Sequence, residues 1–333
     1  MVTARIVPLV FALLLPVCAC AWDIGLPTGN DALLRPGGEA AFFQPTIEGT
    51  TVSGMFGCVR GAGRRFHEGI DIRSVERDRH GESVDPVLAA ANGRVAFINL
   101  KPGLSNYGRY IVLEHRGEGV AVFTLYAHLR QVADDLAVGR WVQKGQPIAV
   151  MGRSSNTRER ISRERAHLHF EICFLLNPDF DRWYRKRDPK APPFGAFNGQ
   201  NFVGLDPAVL LREAATNPKM NFAEYIARQP VGFTVLVPAG SLRWAELHPE
   251  QIRGGLTTNT VAYEVGVTVW GLPVALWPRT AEQVAGRNLP VLNLVNEAEL
   301  MQGNCRRLVE RAGAGWRLSA RGRDWLELLT YRR

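Results

Sequence analysis

The sequence predicts a mainly β protein, in which a compact antiparallel β domain at residues 51–204 precedes a smaller α+β region at residues 231–333. Three observations support this. Residues 165–172 alternate strictly, so that His167, His169 and Glu171 fall on one face of a strand and Leu168, Phe170 and Ile172 on the other. From Thr51 to Ile172, short apolar and β-branched runs recur between glycine-containing turns. The first clear helical signal comes only at Asp206-Pro207, past the β domain, an N-cap followed by proline at the first helical position. At 333 residues, 46% hydrophobic and 22% charged, the chain is long enough for two domains and has the balance of a globular protein.

At the N-terminus, Arg5 precedes an apolar run from Ile6 to Val17, and Ala19-Cys20-Ala21 offers a small-x-small cleavage site. The run is short for a bilayer span, so residues 1–21 are expected to be a secretory signal peptide cut after Ala21. The competing reading is lipoprotein processing and a lipid anchor at Cys20, since Val17-Cys18-Ala19-Cys20 partly resembles a lipobox. Residues 22–50, rich in Gly and Pro, read as an extended lead-in packed on the domain after it.

Within the β domain, Val87-Leu88-Ala89-Ala90 is expected to turn through the hairpin dipeptide Asn92-Gly93 into a strand at 94–98. Further strands follow at 110–115, at 120–129 and at 141–150, the last interrupted by a turn at Lys144-Gly145. Between Gly152 and His167 the strand signal stops and Arg153, Arg158, Arg160, Arg163 and Arg165 appear. The loop reads either as solvated, balanced by Glu159 and Glu164, or as a basic wall in which Arg158, Arg160, Arg163 and Arg165 grip substrate carboxylates bidentately. Prolines 178, 189, 192 and 193 mark an irregular crossing, and residues 205–230 form a helical connection. In the C-terminal region, 233–237 and 261–270 read as strands and 297–311 as a helix. Trp244, Trp270, Trp277, Trp316 and Trp325 suit core packing or domain docking better than a sugar-binding face.

Chemistry concentrates in three segments. His67 and Asp71 stand four apart around Gly69, Tyr126 and His128 are expected to share one strand face, and His167 and His169 share another. Together they supply His, Asp and His ligands of the kind that bind zinc with one position open, plus two spare imidazoles for proton handling. His80, His115 and His248 read as structural or exposed. The C-terminal region holds no comparable constellation.

These residues resemble those of the lysostaphin/LytM-type zinc metalloendopeptidases of peptidoglycan. The resemblance covers roughly residues 45–172 and touches 203–211: FHEGIDI is similar to the family's His-x-x-x-Asp motif, TLYAHL to its second histidine motif, and AHLHFEI to its His-x-His motif. It implies a duplicated hybrid motif-like β-sheet peptidase domain, zinc bound by His67, Asp71 and His169, and catalytic roles for His128 and His167. It further implies an exported enzyme of the bacterial periplasm or cell envelope, or an extracellular one, that hydrolyses peptide bonds in stem peptides or crosslinks. The segment from Ser74 to Asp85 and the arginine-rich loop are longer than the family usually shows.

A non-catalytic, wall-binding regulator of other hydrolases is the rival of a different class, but all five polar positions stand here. A secreted peptidase acting on Gly-rich protein is another. The zinc D,D-peptidases with a His-x6-Asp motif do not fit, because residue 74 is Ser. The net charge of +8 and pI of 9.5 suit an acidic partner. Without zinc-finger spacings or RNA-binding aromatics, an anionic wall polymer or membrane surface is favoured over nucleic acid. After processing, Cys58, Cys173 and Cys305 allow one bridge, and Cys58–Cys173 is a conceivable pair because both flank the histidine segments.

Overall fold

A computed structural model describes residues 22–117, 120–158, 160–255 and 258–332, so the expected signal segment and Cys20 lie outside the described residues. The lead-in is not merely extended. It forms short turns and a single-turn helix α1 (Glu39–Phe42), and it buries Trp22, Leu33, Phe42 and Phe43 in the main core.

The β domain comprises β1 (Gly57–Arg60), β2 (Arg65–His67), β3 (Ile70–Arg73), β4 (Pro86–Leu88), β5 (Gly93–Asn99), β6 (Tyr110–Gly117), β7 (Val120–Ala127), β8 (Gln131–Val132), β9 (Trp141–Val142), β10 (Pro147–Val150), β11 (His167–Leu175) and β12 (Phe202–Leu205). The largest sheet runs β12-β11-β7-β6-β5-β9, and β3 also pairs with β11. All of these pairings are antiparallel, so the predicted fold class holds. One correction concerns Asn92-Gly93. β4 pairs with β10 in a second sheet and β5 with β6, so the dipeptide carries the chain between sheets and closes no hairpin. A Cβ at Gly93 would come within 2.6 Å of the His115 ring, which is reason enough for glycine there.

β11 is the central strand, and its two faces differ. Leu168, Phe170, Ile172 and Phe174 are fully buried in the main core, each contributing roughly 1.5–3 kcal/mol of apolar burial. The opposite face carries His167, His169 and Glu171 and then Cys173, which joins Tyr110, Leu125 and Phe202 in a second, smaller apolar cluster. Past β11 come α2 (Phe180–Arg185), α3 (Pro207–Thr216) and α4 (Phe222–Ala227). Asp206 caps α3 by accepting from the amides of Ala208 and Val209, as its sequence predicts.

The C-terminal region begins with β13 (Phe233–Pro238), α5 (Arg243–Leu247), β14 (Ala262–Val267), β15 (Pro273–Arg279) and β16 (Val291–Val295), whose strands form a sheet in the order β15-β14-β13-β16. It then adds α6 (Glu297–Gln302), a hairpin of β17 (Val309–Ala312) and β18 (Gly315–Leu318), and α7 (Ala320–Thr330). The helix expected at 297–311 therefore stops at Gln302. Gly303 follows with no helical backbone geometry, and the apolar residues beyond it serve a strand.

This region is fastened to the β domain. Asn177 donates to the carbonyls of Leu328 and Tyr331, Arg243 pairs with Asp179, Trp270 packs edge-on against Phe56, and buried residues of both parts belong to one core. Trp244 and Trp325 are buried, as the packing reading of the tryptophans expects. A disulfide joins Cys58 to Cys305, which corrects the pairing with Cys173. Strand alternation turns Cys173 into the small apolar cluster, and the return of residue 305 to the β1–β2 hairpin leaves no trace in sequence spacing.

Candidate metal centre and its flanking histidines

Two strand pairings create the centre. In the β3/β11 register Asp71 lies opposite His169 and Arg73 opposite His167, so both histidines and Asp71 share a face. His67 ends β2 and enters from the adjoining hairpin, and the chain between them passes close against β11. A Cβ on Gly69 would come within 2.3 Å of the Phe170 carbonyl oxygen, so only glycine permits that approach.

His67 Nε2, Asp71 Oδ1 and His169 Nδ1 form a nearly equilateral triangle with edges of 3.1, 3.1 and 3.2 Å. All three residues are buried. Donor atoms about 2.0 Å from a tetrahedral ion lie about 3.3 Å apart, so the triangle fits zinc. The outer nitrogens are tied away from it. His67 Nδ1 donates to the Met55 carbonyl (2.6 Å), and His169 Nε2 donates to Glu171 Oε1 (2.9 Å), which leaves both inner lone pairs converging. Tyr107 donates its hydroxyl to the same Glu171 oxygen (2.6 Å) and fixes that carboxylate.

The electrostatics ask for a cation. Burial opposes ionisation of Asp71, yet the charges of His167, His67 and Arg60 and the His169 hydrogen bond hold its carboxyl well below the usual range. Burial likewise opposes a charged His169, but Asp71 and Glu171 outweigh it and bring the imidazole up to about 9. The Arg60 guanidinium supplies positive charge at the triangle itself, bonded to Asp71 Oδ2 and standing 2.7 Å from His67 Nε2. The donor set and the stand-in cation both fit a divalent metal ion.

His128 and His167 lie beside this triangle, with ring centroids 4.8 Å apart, and the His128 ring is 5.9 Å from that of His169. His128 Nδ1 donates to the Ser154 carbonyl (2.9 Å) and His167 Nδ1 to the Arg165 carbonyl (2.6 Å). Each therefore leaves Nε2 unprotonated and turned inward, that of His167 standing 3.6 Å from Asp71 Oδ1. Burial, with the charges of His167 and His169, pushes His128 well below the ordinary imidazole range, and burial lowers His167 too. Both are neutral acceptors at Nε2 near pH 7, and each becomes a donor on taking a proton.

The expected sharing of a face by Tyr126 and His128 is corrected. Tyr126 pairs with Phe170 on the core side, where its hydroxyl bonds Thr124 and the Ala90 amide. His128 follows β7 with φ of 62°, a left-handed conformation costly for a residue with a Cβ, and this turns its ring to the metal side. Sequence reasoning also missed Arg60 and Tyr107 as neighbours of the triangle. Tyr107 had a weak signal in the glycine-turn segment SNYGRY, whereas nothing marks Arg60. Of the loop arginines, Arg158, Arg160 and Arg163 are exposed, Arg163 pairs with Glu82, and Arg165 is half-buried with no acceptor for its Nε. His115 is buried between the Asn92 carbonyl and Thr124, and His248 packs on Trp244, both as structural residues.

Residues 65–178 match the family model for Peptidase family M23. Three solved structures are similar to parts of the chain. A zinc containing peptidase from Vibrio cholerae is 28% identical over 32% of this chain and 26% of its own, with a TM-score of 0.24. A candidate glycyl-glycine endopeptidase lytM from Ruminococcus gnavus is 23% identical over 47% of this chain and 50% of its own, with a TM-score of 0.32. The catalytic domain of the antimicrobial peptidase lysostaphin from Staphylococcus simulans is 22% identical over 48% of this chain and 89% of its own, with a TM-score of 0.30. The chain thus spans about a quarter and a half of the length of the first two. No curated protein matches it. The segment that matches the model of peptidase family M23 holds the whole triangle and both flanking histidines, so the residues brought together here are the ones the family model covers.

Proposed function

We propose that the chain is an exported, zinc-dependent endopeptidase that hydrolyses peptide bonds in peptidoglycan stem peptides or crosslinks. The observation that carries this reading is the triangle of His67 Nε2, Asp71 Oδ1 and His169 Nδ1, with two neutral imidazoles on its flank. A zinc ion held by these atoms supplies Lewis acidity toward a carbonyl oxygen and makes a water more acidic.

The chain's own residues do the rest. Glu171, steadied by Tyr107, holds His169 in the tautomer that presents Nδ1 inward. His128 and His167 have their Nδ1 protons committed to backbone carbonyls, so proton traffic runs through Nε2 of each. One accepts the proton of the attacking water and so becomes the donor, while the other, neutral at Nε2, orients that water by accepting from it. The proton then passes to the leaving amine. Glu171, the carboxylate beside His169, does not take this role, because it is engaged with His169 and Tyr107.

Peptidoglycan as substrate is supported by the family and by the positive balance of the chain, which suits stem peptides with free carboxylates. Export is supported by the apolar run after Arg5 and the small-residue site at Ala21, with a lipid anchor at Cys20 as its variant. Among the described residues no helix is long and apolar enough to cross a membrane. Mass analysis of fragments released from purified sacculi tests the reading. Freed D-alanyl carboxyl termini support endopeptidase action on crosslinks, whereas release of whole stem peptides from sugar indicates an amidase and overturns it.

A further inference from the structure

An open pocket of about 430 Å³ lies beside the catalytic face, lined by Gln44, Arg73, Arg77, His80, Arg163 and Glu164 among others. Its place is set by strand geometry. Arg73 is two residues beyond Asp71 on β3, hence on the same face, and it pairs in register with His167. Two residues of strand advance about 6.5–7 Å, so the root of Arg73 lies that far along from the metal triangle, next to a flanking histidine.

The pocket's charge is only partly answered. Arg163 is paired with Glu82, which also binds Arg153. Arg77 places three of its five N–H donors on the main-chain carbonyls of Gly81, Arg163 and Glu164, which fix its guanidinium without neutralising it. Arg73 has a buried Nε with no acceptor, and no carboxylate among the described residues pairs with Arg73 or Arg77. Glu164 is the acid on the wall, set against three guanidinium groups. Buried donors in native proteins usually find partners, and the Arg73 Nε–H has none among the described residues. The wall is built by the long segment after Ser74, where Asp85 gathers Ser74 and the amides of Val75 and Glu76, and by the arginine-rich loop. These are the two stretches whose length departs from the family's usual pattern.

We infer that this pocket is a carboxylate subsite, in which Arg73 and Arg77 receive a free carboxylate of a peptide one or two residues from the bond being cut. The inference rests on the peptidase reading above and narrows its substrate class to peptides with an anion at that distance. Planar guanidinium groups match a carboxylate through paired N–H donors, which a carboxamide cannot reproduce. Of the four loop arginines expected to grip substrate, Arg163 alone contributes to this pocket.

The test is a binding measurement with full-length, zinc-loaded protein. Calorimetry compares a short acetylated alanyl peptide ending in a free carboxylate with the same peptide ending in a carboxamide. The carboxylate form is expected to bind at least tenfold more tightly. Arg73→Gln is expected to remove that preference while leaving zinc content and the amide's affinity unchanged, and Arg77→Gln, a second variant, to reduce it. Equal affinity of wild-type protein for the two peptides, including binding of neither, overturns the inference. So does a preference that survives in folded, zinc-replete Arg73→Gln. Selective carboxylate binding without hydrolysis of any wall peptide would leave the subsite standing and remove the proposed function.

Discussion

Glu171 shows how a residue can matter without touching the reaction. Its carboxylate fixes His169 through Nε2, and removing such a partner of a metal-ligating imidazole typically costs 10–100-fold in metal affinity. Glu171→Gln should therefore bind zinc about 10–100-fold more weakly, as read by competition with a chelating dye. Arg60 should act in the opposite direction. Its guanidinium touches two of the three ligands, and even unit charges 4 Å apart interact by about 4 kcal/mol at an effective dielectric of 20. Arg60→Ala is expected to raise zinc affinity by roughly tenfold or more; unchanged affinity would show that the guanidinium swings clear at no cost, and weaker affinity that it supports the site instead of competing for it. The five polar positions were legible because motif spacing survives in sequence. Arg60 was not, because it reaches the triangle from a hairpin whose residues carry no pattern.

Strands were the most legible elements, and the exceptions have local causes. Alternation placed His167, His169 and Glu171 correctly on β11, where regular pairing holds along its length. It failed at His128, where a single left-handed residue reverses the face that period-two reasoning assigns. It also failed at Asn92-Gly93, whose turn signal was real but whose partner strands lie in different sheets. Within β6, His115 is buried and its imidazole is pushed down to about 4, chiefly by desolvation and against a hydrogen bond to the Asn92 carbonyl. An unfolded histidine titrates near 6.5, so the unfolded chain takes up this proton first as pH falls. The native state should lose stability between about pH 6.5 and 4 through this group, by about 3 kcal/mol at most, and level off below that range. Denaturant melts of wild type and His115→Gln across pH should show this as a narrowing difference on acidification. A difference constant with pH would show that the group titrates alike in both states.

At the scale of the whole molecule, the sequence divides the chain into a β domain and a smaller C-terminal region without clustered chemistry. The structure joins them by a shared core and by a disulfide spanning 247 residues of chain. Cross-links closing long loops typically stabilise by about 2–5 kcal/mol, so Cys58→Ser with Cys305→Ser should lower the midpoint of chemical denaturation by that equivalent. Zinc content should persist, because neither cysteine touches the triangle. Truncation near residue 230 should cost more, since it uncovers Phe174, which packs against Trp244 and His248. None of this was legible, because contacts between distant segments leave no periodicity in either one.

The division of labour between ligand and catalyst can be tested by measuring zinc content and kcat side by side in full-length wild type, His169→Ala and His167→Ala. His169→Ala is expected to lose metal and activity together, as one of three protein donors is gone. His167→Ala should keep its zinc and lose about 10²–10⁴-fold in kcat, the usual effect of removing a proton-transfer or oxyanion group. Loss of metal from His167→Ala with retention by His169→Ala would reverse the two assignments, and wild-type protein that takes up no zinc would contradict the metal centre altogether.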